Sequence, residues 1–282
     1  MVERSYTRVT LALDIIRRIE SGSFNGYHEL GIIKHKIDLY DIITIEESPR
    51  MVLECDNPSV PCDERNICWK AAVLLKDRFN IASSVRIHLE KHIPVMGGLA
   101  GGSANAATTL LMLNSLWDLR LSNSQLMDLG RLLGMDVPFY FSTATAFDTE
   151  ATGYVDPISQ GNVFSFVLAI PDFGVSTKDA YQGIDYGVIG KSVNKTAQLI
   201  QHLRQNKPHE IYALMHNDFE FTVFSKHRHL LELKNQLINA GCKAAMMTGS
   251  GSTILGIAED SGHAARIQSK INCRTIIASS LI

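Results

Sequence analysis

The 282-residue chain has no block of like charge and no basic stripe: 27 lysines and arginines face 29 aspartates and glutamates, leaving a net charge of −2. Nucleic-acid binding needs a basic face, so no nucleic-acid partner is expected, and small molecules are the expected ligands. There is no apolar run long enough to cross a bilayer, and Glu3, Arg4 and Arg8 around a short apolar stretch do not read as a secretory signal. A cytoplasmic chain without a membrane partner is the expectation. Cysteine is scarce, with five residues, an odd number and no C-x-x-C spacing, which argues for reduced thiols rather than a disulfide frame or a zinc site. The histidines show no metal-ligand spacing, and no internal repeat or low-complexity segment is present.

What the chain does have is an apolar fraction of 45%, ample for a core, and one unusual stretch. Residues 94–107 read PVMGGLAGGSANAA, with Gly97, Gly98, Gly101 and Gly102 ahead of a helix-forming run to Trp117. Glycine backbones adopt positive φ and can turn successive N–H groups toward an anion, and the helix that follows aims its positive end at the same place. The stretch predicts a phosphate cradle. It is not a Walker A loop, because no Gly-Lys-Ser/Thr closes it, and it is not GxGxxG.

Alternation and run length predict strands over residues 8–13, 37–46, 85–90, 144–147 and 164–170, with residues 51–54 returning as a hairpin across Ser48 and Pro49. Helical spacing predicts a helix behind Asn66, one over residues 106–117, and one behind Ser122, where Ser122 and Gln125 have capping-box spacing and Gly134 ends the apolar stripe. Asp136 then stands ahead of a Val-Pro step, on restricted backbone. Beyond Thr177 the texture predicts helices over 193–204, 210–215 and 227–240. A strand (243–247), a TGSGS turn (248–252), a strand (253–258), a helix (261–271) and a strand (274–279) follow. That rhythm is a small α+β sandwich.

Three pieces, PVMGGLAGGSANAA, the LGMDVP of residues 133–138 and the MTGSGS of residues 247–252, stand in an order and at separations that resemble the GHMP kinase superfamily. The NGYHEL of residues 25–30 narrows the likeness to members whose acceptor alcohol carries a cytidine diphosphate. The resemblance runs from about Arg8 to the end of the chain. It implies an α+β, two-domain GHMP-kinase-like fold, with an N-terminal ATP-binding domain over residues 1–158 and a smaller ferredoxin-like, substrate-side domain over 159–282. It implies ATP and Mg2+, and leaves room for a homodimer. ATP contacts would come from Asn66, Pro94, Gly97, Gly98, Leu99, Ala100, Gly101, Gly102, Ser103, Ala104 and Asn105, with the Ser103 hydroxyl or the Asn105 amide reaching a phosphate or the metal. Asp136 would accept or orient the acceptor proton. Tyr27 and His28 would read the cytosine ring, Thr177 and Tyr181 would meet it from the other side, and Gly249, Ser250 and Gly251 would close over the substrate.

The first motif departs from the superfamily pattern. Where that pattern reads Ala-Lys-x-Asn-x-x-Leu, residues 7–13 read TRVTLAL. Arg8 keeps the catalytic positive charge but is bulkier and planar, and Thr10 keeps a hydroxyl in place of a substrate-facing amide. Asn105 also stands where an aspartate is common, removing one acidic neighbour of the metal. Three readings stand at this point: a kinase of the cytidylyl alcohol, a diverged kinase of another small alcohol, and a nucleotide-binding protein without catalysis.

Overall fold

In the computed structural model all residues are described except Ser23, Thr152, Gln160 and Ile282. The chain forms two compact units, Met1–Thr7 with Leu39–Pro94 and Ala100–Ser142, and Arg8–Asp38 with Val95–Leu99 and Thr143–Ile282. Two long strands, β1 (Val2–Arg18) and β2 (His28–Ser48), give residues to both.

In the first unit the sheet order is β3–β4–β2–β1, with β3 at Val52–Cys55 and β4 at Ser84–Glu90. Val85, Ile87 and Leu89 of β4 alternate inward and meet Ile43 and Ile45 of β2. Helices α1 (Ile67–Phe79), α2 (Gly101–Leu116) and α3 (Asn123–Leu133) cover that face with Leu75, Leu110, Leu113 and Leu126. The predicted capping box is made: the Ser122 hydroxyl accepts the Gln125 N–H at 3.3 Å and Gln125 Oε1 accepts the Ser122 N–H at 2.9 Å. The predicted hairpin is not, because β3 pairs in parallel with β4, which lies between β3 and β2. Antiparallel neighbours can be joined by a tight turn, whereas the parallel pair needs a crossover, and α1 supplies it.

In the second unit β1 and β2 are flanked by β8 (His216–Asn217) on one side and by β5 (Thr145–Glu150) and β6 (Val155–Ser159) on the other. A four-stranded sheet has the order β11–β7–β10–β9, formed by β7 (Ser165–Ile170), β9 (Ala244–Met247), β10 (Ile254–Ala258) and β11 (Arg274–Ser279). With α7 (Arg228–Ala240) and α8 (Ser261–Gln268) this is the βαββαβ ferredoxin-like order expected from the sequence. Between β7 and β9 lie α4 (Thr177–Tyr181), α5 (Val193–Arg204) and α6 (Phe219–Lys226). The helix predicted over 210–215 is instead a short 3-10 turn, Pro208–Ile211. No helix among the described residues is long and apolar enough to cross a membrane.

This unit buries His35 completely, its Nδ1 2.8 Å from Thr145 Oγ1 and its Nε2 2.6 Å from Ser280 Oγ. Burial pushes its pKa down to about 3. Between that value and the ordinary 6.5 the unfolded chain binds a proton that the native chain does not, so stability falls as pH falls through this window. We expect this one group to contribute an acid-limb slope of up to about 1.4 kcal/mol per pH unit. Denaturant melts from pH 6.5 to 4 check it: His35→Gln flattens that slope, and an unchanged slope contradicts it.

Candidate active site

The first unit holds the helix end of the glycine stretch. Helix α2 begins at Gly101 behind Ala100, which sits in the left-handed region (φ 55°, ψ 30°) and offers no side-chain cap. No acid occupies the first turn. A helix of this length carries roughly half a positive charge at such an end, and its leading N–H groups have no intrahelical acceptor. Gly101 has to be glycine, since a Cβ there would stand 2.8 Å from Ile93 Cγ2, whereas one on exposed Gly102 would meet only Ile67 Cγ2, at 3.9 Å. Ser103 lies half-buried in the same turn. Asn66 is buried at the head of α1, where its Oδ1 accepts the Cys68 N–H at 2.9 Å and its Nδ2 donates to the Pro61 carbonyl at 2.7 Å. The cap expected of Asn66 is therefore made.

Asn105 is turned inward. The amide expected at a phosphate or metal donates instead to Asp41 Oδ2 at 2.9 Å and Ser5 Oγ at 3.0 Å, and its oxygen accepts from Lys91 Nζ at 2.9 Å. The reason is position: Asn105 falls on the buried face of α2, between Ala104 and Ala106.

Asp136 follows the Gly134 stop of α3 and precedes a 3-10 turn, Val137–Phe141, that carries Pro138 in its first positions. It is half-buried, in right-handed helical geometry (φ −80°, ψ −20°), and its side chain makes no capping bond to that turn. The same turn is tied to the glycine stretch, because the Tyr140 hydroxyl donates to the Ala100 carbonyl at 3.2 Å.

The second unit brings β1, the middle of the glycine stretch and the late TGSGS turn together. Arg8, only 5% exposed, donates from Nη1 to the Gly98 carbonyl at 3.0 Å and to Thr10 Oγ1 at 3.2 Å. Thr10 is fully buried; its N–H donates to Thr248 Oγ1 at 3.0 Å and its hydroxyl accepts the Gly249 N–H at 3.3 Å. The two glycine turns meet backbone to backbone. A Cβ on Gly98 would lie 2.2 Å from the Thr248 carbonyl oxygen, and one on Gly249 would lie 2.7 Å from the Gly98 oxygen. Thus the altered pair of the first motif is built into the junction: the longer Arg8 reaches the Gly98 carbonyl, and the compact Thr10 fits beneath the Gly249 amide.

Asn217 of β8 was not legible as a site residue, yet its Nδ2 holds the late turn by donating to the carbonyls of Met247 at 2.7 Å and Gly249 at 2.8 Å. Thr177 heads α4 with its hydroxyl 3.3 Å from Ser250 Oγ. The His28 ring stacks on Tyr181, with centroids 4.3 Å apart and planes 16° apart, and its Nε2 lies 2.7 Å from the Tyr186 hydroxyl. Burial, and then the positive charge of Arg18, push the His28 pKa down, so the ring is neutral at pH 7. Tyr27 is 51% exposed and stands edge-on to Phe24 rather than at Tyr181. Tyr186 was another residue the sequence did not single out. Among the described residues no group of three His, Cys, Asp or Glu side chains is arranged to hold a metal ion.

Residues 66–143 match the GHMP kinases N terminal domain and residues 199–277 the GHMP kinases C terminal domain. The chain belongs to the GHMP kinase family and is an ATP-dependent kinase that acts on a hydroxyl. Within that family it is 36% identical over 263 residues to the 4-diphosphocytidyl-2-C-methyl-D-erythritol kinase of Clostridium botulinum (strain Eklund 17B / Type B), covering 91% of this chain and 90% of that one. The enzyme of the same name from Clostridium perfringens (strain ATCC 13124) is 36% identical over 262 residues, covering 92% and 89%. Among solved structures, a 4-(cytidine 5'-diphospho)-2C-methyl-D-erythritol kinase superposes with a TM-score of 0.79 at 27% identity, over 99% of this chain and 98% of that one. A homoserine kinase from Cytophaga hutchinsonii gives 0.74 at 14% identity over 98% and 94%, a likeness of fold alone.

Proposed function

We propose that this chain transfers the γ-phosphate of ATP to a hydroxyl of 4-diphosphocytidyl-2-C-methyl-D-erythritol, a step of isoprenoid precursor synthesis. The observation that carries the reading is the uncapped, acid-free start of α2 behind a glycine loop, in a chain 36% identical over nine-tenths of its length to enzymes of that name. In this reading the N–H groups of residues 101–103 take phosphate oxygens, with residues 1–158 as the nucleotide half and 159–282 as the substrate half. Asp136 accepts the proton of the attacking hydroxyl. A new O–P bond forms at the γ-phosphorus as its bond to the β-bridging oxygen breaks, and ADP leaves with the electron pair. Arg8 offsets the charge that gathers on the phosphate oxygens.

Mg2+ fits this donor set, because it binds through few protein ligands and takes the rest from phosphate oxygens and water. The Ser103 hydroxyl is the protein group that would hold it, and its chemistry there is charge neutralisation on the phosphates. Tyr181 and neutral His28, backed by Tyr186, supply flat apolar faces and a ring nitrogen suited to a pyrimidine base. The reading also carries a cytoplasmic location, in keeping with five free cysteines.

A second acceptor alcohol is the competing reading, favoured by Arg8 and Thr10 in the first motif. Initial rates of ADP release with Mg-ATP and each of three alcohols separate the two. The proposal expects turnover with the cytidylyl alcohol and background rates with mevalonate and homoserine; a faster rate with either of the latter overturns it.

A further inference from the structure

In the first unit, a polar cluster that the chemistry above does not use joins β2, the segment 91–93 and the second turn of α2. Asp41 of β2 is fully buried. Its Oδ1 accepts the backbone N–H groups of His92 at 2.8 Å and Ile93 at 2.9 Å, and its Oδ2 accepts from Asn105 Nδ2 at 2.9 Å and from Lys91 Nζ. A carboxylate has about four acceptor sites, so Asp41 is saturated. Both amide hydrogens of Asn105 are spent as well, on Asp41 and on Ser5 of β1, and its oxygen takes Lys91. No amide hydrogen of Asn105 and no acceptor site of the Asp41 carboxylate is left to offer a ligand.

The contacts fall in two places along the chain. Lys91, His92 and Ile93 lead directly into Pro94, where the glycine stretch begins, and Asn105 lies in the second turn of α2, where it ends. One carboxylate therefore holds the segment before the loop and the helix after it. Ile93 adds a second tie, since its side chain lies against Gly101, where any Cβ would clash. Buried ion pairs rarely stabilise a fold more than an apolar filler of the same size does; what a saturated network specifies is geometry. An anion cradle made of backbone N–H groups depends on such geometry, because it has no side chain to compensate for a displaced turn.

We propose that Asp41 is the positioning residue of the phosphate loop, acting on one side through the backbone of His92 and Ile93 and on the other through Asn105 and Lys91. The inference rests on the reading of residues 94–107 as the loop that holds ATP phosphates. Asn105 keeps α2 in register with the strand edge, and Lys91 closes the contact between the two.

Two variants test it, Asn105→Ala and Asp41→Asn, each with initial-rate kinetics, a direct titration with Mg-ATP and a thermal melt. A loop that occupies its binding geometry a tenth as often loses about tenfold in apparent affinity. Both variants are accordingly expected to raise the KM and Kd for ATP about tenfold, with kcat changed by less than about threefold and the KM for the acceptor alcohol unmoved. A folded variant that melts lower but keeps the parental KM and Kd for ATP overturns the positioning role. If Asp41→Asn does not fold, Asn105→Ala decides alone, because it leaves the Asp41–Lys91 pair and both backbone bonds in place. A parent protein that binds no ATP overturns the reading of the loop itself. A parent that binds ATP, with variants that bind it equally well, overturns only the role of Asp41.

Discussion

An Asp136→Asn enzyme is expected to turn over about a thousandfold more slowly than the parent while holding ATP as tightly as before. Removing a positioned general base costs on the order of 10²–10⁴ in rate, and an interaction made only with the reacting hydroxyl shows in kcat rather than in nucleotide affinity. Asparagine has the shape of aspartate, and the turn that follows is bounded by Gly134 behind and Pro138 ahead, so the substitution removes the charge while keeping the size of the side chain. Steady-state rates with a Mg-ATP titration check the split. A tenfold or larger loss of ATP affinity with kcat preserved would show that the carboxylate serves binding instead.

The second large effect concerns the junction of the two glycine turns. Gly98 has φ +74°, and a Cβ there would lie 2.2 Å from the Thr248 carbonyl oxygen and 2.9 Å from that of Gly251. Both neighbours are backbone, so no side chain can swing aside. Gly98→Ala is therefore expected to lose on the order of 3 kcal/mol of stability, from left-handed strain and from forcing the turns apart. The melting temperature should fall by roughly 6–12 °C. Activity should fall about a hundredfold, since Arg8 is hydrogen-bonded to the Gly98 carbonyl and moves with it. Gly102→Ala is the control for stability, because its Cβ meets nothing closer than 3.9 Å in a helical position where alanine is the better residue. Equal melting temperatures for the two variants would refute the packing account.

The sequence carried the local features and missed the distant ones. The helix behind the glycine stretch, the capping box of Ser122 and Gln125 and the stop at Gly134 are properties of a few neighbouring residues, and each is present in the structure. The partner of β3 was misread because Ser48 and Pro49 are good turn chemistry, while the choice of β4 over β2 is made by packing under α1. Asn217, Asp41 and Tyr186 were silent for the same reason. Asn217 acts on carbonyls 30 and 32 residues away, Asp41 reaches 51 and 64 residues along the chain, and Tyr186 meets His28 across 158. Nothing in their immediate neighbours marks such residues. A buried asparagine in a strand of only two residues reads as an ordinary loop position until the turn it holds is known. Arg8 and Thr10 are the instructive case. As isolated changes to a motif they weaken it, whereas in the fold they form a matched pair, with one Nη1 shared between the Thr10 hydroxyl and the Gly98 carbonyl.

The central claim is a phosphoryl transfer to one kind of alcohol, and the most direct measurement is the 31P NMR spectrum of a reaction holding this protein, Mg-ATP and 4-diphosphocytidyl-2-C-methyl-D-erythritol. The account predicts loss of the γ-phosphate resonance of ATP, growth of ADP, and one new phosphomonoester resonance on the acceptor with its diphosphate bridge intact. ADP accompanied by free inorganic phosphate, or an unchanged spectrum from protein that binds ATP, would contradict it.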